Sequence, residues 1–130
     1  MRRVLVVLAF YACASPQPPP GTAGPAEAVQ EFATAVQKGD AATAWSLLSS
    51  RTQQQAEELA ARARAASADG KPESGRAMLF ASALPGRPIE ARLVRQDGDT
   101  AEVRTNENGG RVYRVVREGG SWRVDLDLPR

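Results

Sequence analysis

Apolar residues recur at two different periods along this chain, and the change of period divides it. From Pro25 the pattern is helical: Val29, Phe32, Ala33 and Val36 stand at i, i+3, i+4 and i+7 and share one helix face. Pro25 suits a first helical turn, Lys38 the last turn, and Gly39 a stop. Asp40 then caps a second helix whose inner face is Ala41, Ala44, Trp45 and Leu48. Ser50-Arg51-Thr52-Gln53 has the form of a capping box, so a third helix is predicted from there to about Ala68. Its stripe is Ala56, Leu59, Ala60 and Ala63, and Glu58 with Arg62 forms an i,i+4 pair. Leu59 is the one large apolar residue of that stripe, so this helix is expected to be the least firmly docked.

Residues 69–75 read as a loop, and residues 76–84 fit a short buried helix or a strand equally well. Pro85-Gly86-Arg87-Pro88 breaks the chain. Beyond Pro88 the period falls to two. Ile89, Ala91 and Leu93 alternate with charged neighbours. Ala101, Val103 and Thr105 follow after the turn Asp97-Gly98-Asp99. A third strand covers residues 111–117, and a fourth covers 121–128 with Trp122, Val124, Leu126 and Leu128 on one face. The turns are short, so the four strands form an antiparallel meander. The expected fold class is α+β, with N-terminal helices packed on a curved four-stranded sheet whose apolar face they cover.

The first fifteen residues, MRRVLVVLAFYACAS, change the picture of where the chain goes. Arg2 and Arg3 precede a short apolar run that ends in small residues, the arrangement of a secretory signal. The run is too short for a hydrocarbon core that needs roughly 20 residues. Phe10-Tyr11-Ala12-Cys13 resembles a bacterial lipoprotein box, which makes Cys13, the single cysteine, a lipidation residue. Ala12-Cys13-Ala14 also reads as an ordinary secretory cleavage site, which would discard Cys13 with the leader. Residues 14–24 carry four prolines and no large apolar side chain, so they read as an extended stalk. The organisation is a signal peptide at 1–12, a lipidated Cys and Pro-rich linker at 13–25, and a domain at 26–130. Ala14 follows the cysteine where an Asp would act as an inner-membrane retention signal. Its absence points to an anchor in the outer membrane, with the domain facing the periplasm.

Composition narrows the chemistry. The 130 residues include no His and one Cys, which excludes His-based nucleophile pairs, His-ligated metals and an internal disulfide. The formal charge is +2, but taking Arg2 and Arg3 from the 17 basic residues leaves 15, equal to the 15 acids. Arginines on the strand half are interleaved with carboxylates, which argues for cross-strand pairs and against nucleic acid. Asp97-Gly98-Asp99 reads as a turn rather than a cation site. Asp125 and Asp127 alternate with the Trp122 row and are expected to point to solvent. No metal, cofactor or catalytic residue is assigned.

Ala28 to Ser49, with its Gly39-Asp40 step, Trp45 and the Leu47-Leu48 pair, resembles the opening of nuclear-transport-factor-2-like domains of small bacterial lipoproteins. Tyr113 to Leu126 resembles their closing hairpin. The resemblance implies a cone with an open end, used in that superfamily as an enzyme pocket, a ligand pocket or a packed scaffold. Ketosteroid-isomerase-like and polyketide-cyclase-like relatives place an Asp or His base inside the cone. Trp45, Tyr113 and Trp122 are expected at the cone mouth, where an apolar body with a polar tip is suited. Arg114 is expected to be the one cation able to enter. The expected function is a non-catalytic, membrane-anchored envelope protein that binds a protein partner or a small ligand. An isomerase or cyclase with a carboxylate base is the alternative.

Overall fold

A computed structural model describes residues 18–69 and 74–130. The leader and Cys13 lie outside the described residues. Four helices, α1 (Pro25–Lys38), α2 (Ala41–Ser46), α3 (Ser50–Ala66) and α4 (Gly75–Leu79), precede four strands. These are β1 (Ala91–Asp97), β2 (Thr100–Thr105), β3 (Val112–Glu118) and β4 (Ser121–Asp125). The strands pair antiparallel in the order β1-β2-β3-β4, an open and curved sheet with helices packed on it. The class is α+β, as the switch of period implies.

The core lies between α1 and the inner face of the sheet. Register places Val103 opposite Tyr113, Ala101 opposite Val115, and Val115 opposite Val124. All of these are buried, and α1 adds Ala28, Val29, Phe32 and Ala35. Phe32 meets the Tyr113 ring edge-on at 6.5 Å and the Phe80 ring at 6.0 Å. Burying such side chains contributes about 1.5–3 kcal/mol each.

Several boundaries differ from the sequence pattern, some of them through contacts made at long range. The second helix stops at Ser46, so Leu48 is not on it. Leu47 and Leu48 instead run beside β4: the Val124 amide donates to the Leu47 carbonyl at 2.6 Å, and the Ser49 amide to the Val124 carbonyl at 2.9 Å. The Trp122 amide donates to the Gly21 carbonyl at 2.8 Å, so the end of the proline segment is docked on the same edge. Gly21 has φ +83°, and a Cβ there would collide with the Trp122 carbonyl oxygen.

The cap of α3 is Ser49, one residue before the predicted box. Its Oγ accepts from the Thr52 amide at 3.1 Å. Arg62 reaches the Glu58 carbonyl oxygen rather than its carboxylate. The ambiguous segment begins as helix α4, and Gly75 lies against the Ala56 backbone where a Cβ would meet it at 2.7 Å. Leu93 is 47% exposed although its register position is on the inner face, because it lies at the free edge beside a bulge between Leu93 and Arg95. Strand β4 ends at Asp125, before Leu126 and Leu128.

Candidate functional site

The site is a cleft of about 230 Å³ at one end of the core. Phe32, Ala33 and Val36 of α1, consecutive members of its apolar stripe, form one wall. Phe80, Leu84 and Ile89 form the other, from the segment between α4 and β1. That segment is strapped to α1: the Leu84 amide donates to the Val36 carbonyl at 3.3 Å, and Gln37 Nε2 to the Arg87 carbonyl at 2.8 Å. Tyr113 and Leu126 close the floor. Leu84 is 65% exposed at the mouth.

Glu107 and Arg111 add polarity at one side. The Tyr113 hydroxyl donates to Glu107 Oε2 at 2.8 Å, and the Arg111 guanidinium lies 4.6 Å from the Tyr113 ring centroid. Burial, reinforced by the hydrogen bond to Glu107, pushes the Tyr113 pKa well above its ordinary value. The phenol therefore stays protonated and serves as a donor. A 3-10 turn at Glu107–Gly109, closed by left-handed Asn108, Gly109 and Gly110, brings Glu107 back over β3.

Of the four residues assigned to a cone mouth, only Tyr113 lines this cleft. Trp122 is buried in the core, with the Arg117 guanidinium 4.6 Å from its ring centroid. Trp45 is half-buried against the core near α3, and its carbonyl accepts from Gln53 Nε2 at 2.8 Å. Arg114 faces the other way. Its alternation with Tyr113 puts it on the outer sheet face, opposite Asp125 of β4. The cleft's aromatic partners, Phe32 and Phe80, and its polar pair, Glu107 and Arg111, were not singled out from the sequence. The signal available was the position of Glu107 in the tight turn that immediately precedes Tyr113.

Asp125 corrects another expectation. Its side chain is 4% exposed, not solvated. Its carboxylate accepts from Ser49 Oγ at 2.6 Å and from Arg51 Nε and Nη2 at 3.1 and 3.0 Å, with Arg114 Nε at 3.7 Å. Burial opposes the charge, but the hydrogen bonds from Arg51 and Ser49 and the charges of Arg51 and Arg114 outweigh it. The pKa is held below the ordinary carboxylate value. Asp127, two residues on, is exposed as expected. A broader groove of about 680 Å³ lies over this cluster. Its most buried carboxylate is already saturated by donors, so the cluster reads as a clamp between α3 and β4.

Among the described residues, no group of three acids or cysteines is placed to hold a metal ion, and no helix is long and apolar enough to cross a membrane. Comparison with known protein families, with curated proteins and with solved structures finds no match to this chain.

Proposed function

We propose that this chain is an exported lipoprotein, anchored through Cys13 in the bacterial cell envelope on the periplasmic side of the outer membrane. Its nuclear-transport-factor-2-like domain is non-catalytic and binds an apolar group, from a small ligand or a partner protein. The observation that supports the binding reading is the cleft: an apolar floor and walls, exposed Leu84 at the rim, and a phenol donor beside Glu107 and Arg111. Pockets with apolar linings and a few placed polar groups suit small ligands.

The cleft is tested by titrating the full chain with the apolar fluorophore ANS. Val36→Trp fills the wall from a half-buried helix position and is expected to remove the fluorescence gain while circular dichroism stays unchanged. Equal ANS binding by both proteins would contradict the reading. The anchor is tested separately by intact mass of the protein from membranes against Cys13→Ala; an unlipidated soluble wild type contradicts it.

One observation favours the enzymatic alternative. Among the described residues Glu107 is the one carboxylate lining the cleft, and Tyr113 donates to it. A carboxylate base beside a phenol donor is suited to moving a proton next to a carbonyl. That reading predicts deuterium uptake from heavy water into an enolisable ketone probe, lost in Glu107→Gln. No uptake above the buffer rate rejects it.

A further inference from the structure

The two edges of the sheet are treated differently. The β4 edge is covered by backbone bonds from Gly21, Leu47 and Ser49. Strand β1 makes backbone bonds only to β2 among the described residues, so its other edge is open. Six of its seven residues are exposed. Among the described residues, three of the four large exposed hydrophobics lie here or two strands away: Leu93 at 47%, Val94 at 50% and Val112 at 47%.

Charge on the outer face is also uneven. One cross-strand row reads Arg95, Glu102, Arg114 and Asp125, alternating in sign across all four strands. The neighbouring row reads Arg92, Arg104 and Val112. Arg92 and Arg104 face each other directly, and neither has a carboxylate within ion-pair distance among the described residues. Glu90 lies two residues before Arg92 and is engaged through its backbone with Asn106. Like charges directly opposite destabilise a sheet.

We propose that the β1 edge receives a short extended acidic segment of another protein, which adds as a fifth strand with its carboxylates on Arg92 and Arg104. An open edge supplies main-chain bonds, and alternate side chains supply specificity. Val94, in the bulge between Leu93 and Arg95, and Leu93, on the opposite face from Arg92, give exposed apolar contact along the same edge. A second copy of this chain fits poorly, because its own Arg92 and Arg95 would join the same edge. The bulge at Leu93 and Arg95 limits the register to a few residues. This site lies on β1 and the outer face, apart from the cleft.

The probe is a capped heptapeptide alternating Glu and Val, with a Lys and Val peptide as the control. Added to the full chain, the acidic peptide is expected to slow amide exchange in β1 and to leave α1 unchanged. The double variant Arg92→Glu, Arg104→Glu is expected to weaken it about tenfold and to bind the Lys peptide instead. Because a misfolded variant would not gain the Lys peptide, the charge swap separates loss of fold from loss of contact. Equal binding of both peptides by the wild type, protection of the cleft rather than β1, or a variant with wild-type circular dichroism that binds neither would overturn the proposal. So would a dimer in sedimentation whose formation protects β1.

Discussion

Helices α1 and α3 are of similar length but are held by different forces. Helix α1 lays Val29 and Phe32 into the sheet and is fixed by apolar burial. Helix α3 buries Thr52, Ala56 and Ala60, which offer little area. It is fixed at its first turn by polar contacts: Ser49 and Arg51 on Asp125, and the Thr52 hydroxyl, which accepts from the Leu126 amide at 2.8 Å and donates to its carbonyl at 3.1 Å. Its middle rests on α4, where Gly75 lies against the Ala56 backbone. A helix that buries no large apolar side chain can thus be docked, through directional bonds at its first turn and a close backbone approach at α4. The same division runs through the cleft. One wall is the α1 core, and the other is the segment after α4, held to α1 by the Leu84 and Gln37 hydrogen bonds.

Substitutions separate the two modes. Phe32→Ala removes a core ring and is expected to cost about 3–5 kcal/mol, read as a lowered denaturant midpoint for the whole molecule. Asp125→Ala is expected to cost about 2–3 kcal/mol, with the loss concentrated in α3 and read by proteolysis at its residues. Asp125 also predicts a pH dependence. Its folded pKa lies below the ordinary 3.8, so on acidification the unfolded chain takes the proton first. The stabilisation is complete above pH 3.8 and is lost as pH falls through the lower folded value. Asp125→Asn should flatten that acid limb; an unchanged limb would mean that other carboxylates set it. Thr52→Val leaves the Leu126 amide without its acceptor, for about 1–2 kcal/mol. Arg114→Ala, an exposed partner at 3.7 Å, should cost under about 1 kcal/mol; a larger loss would make Arg114 part of the clamp.

The apolar half of this contrast was legible in the sequence. The stripe at Val29, Phe32, Ala33 and Val36, the alternation through Ala101 and Val103, and the Trp122 and Val124 row follow directly from the two periods. The polar half was not. Alternation correctly puts Asp125 on the face opposite Trp122, but no local pattern shows that the α3 terminus folds back over that face. The cap moves from Ser50 to Ser49 for the same reason, since Ser49 also pairs with β4. The weak docking expected of α3 from its alanine stripe is matched by its small buried face, while its anchoring by Thr52 and Arg51 carries no periodic signal. In the cleft, Tyr113 was identified. Phe32 and Phe80, 48 residues apart in sequence, meet only through the chain's return after α4.

The contrast is tested most directly by native-state amide exchange over increasing denaturant. Amides of α1, β2 and β3 are predicted to exchange only through global unfolding. Those of α3 are predicted to exchange through a smaller opening, and Asp125→Asn should lower the free energy of that opening more than it lowers global stability. If α3 and α1 instead follow one isotherm, and Asp125→Asn shifts both equally, the two helices are held as one unit and the account is contradicted.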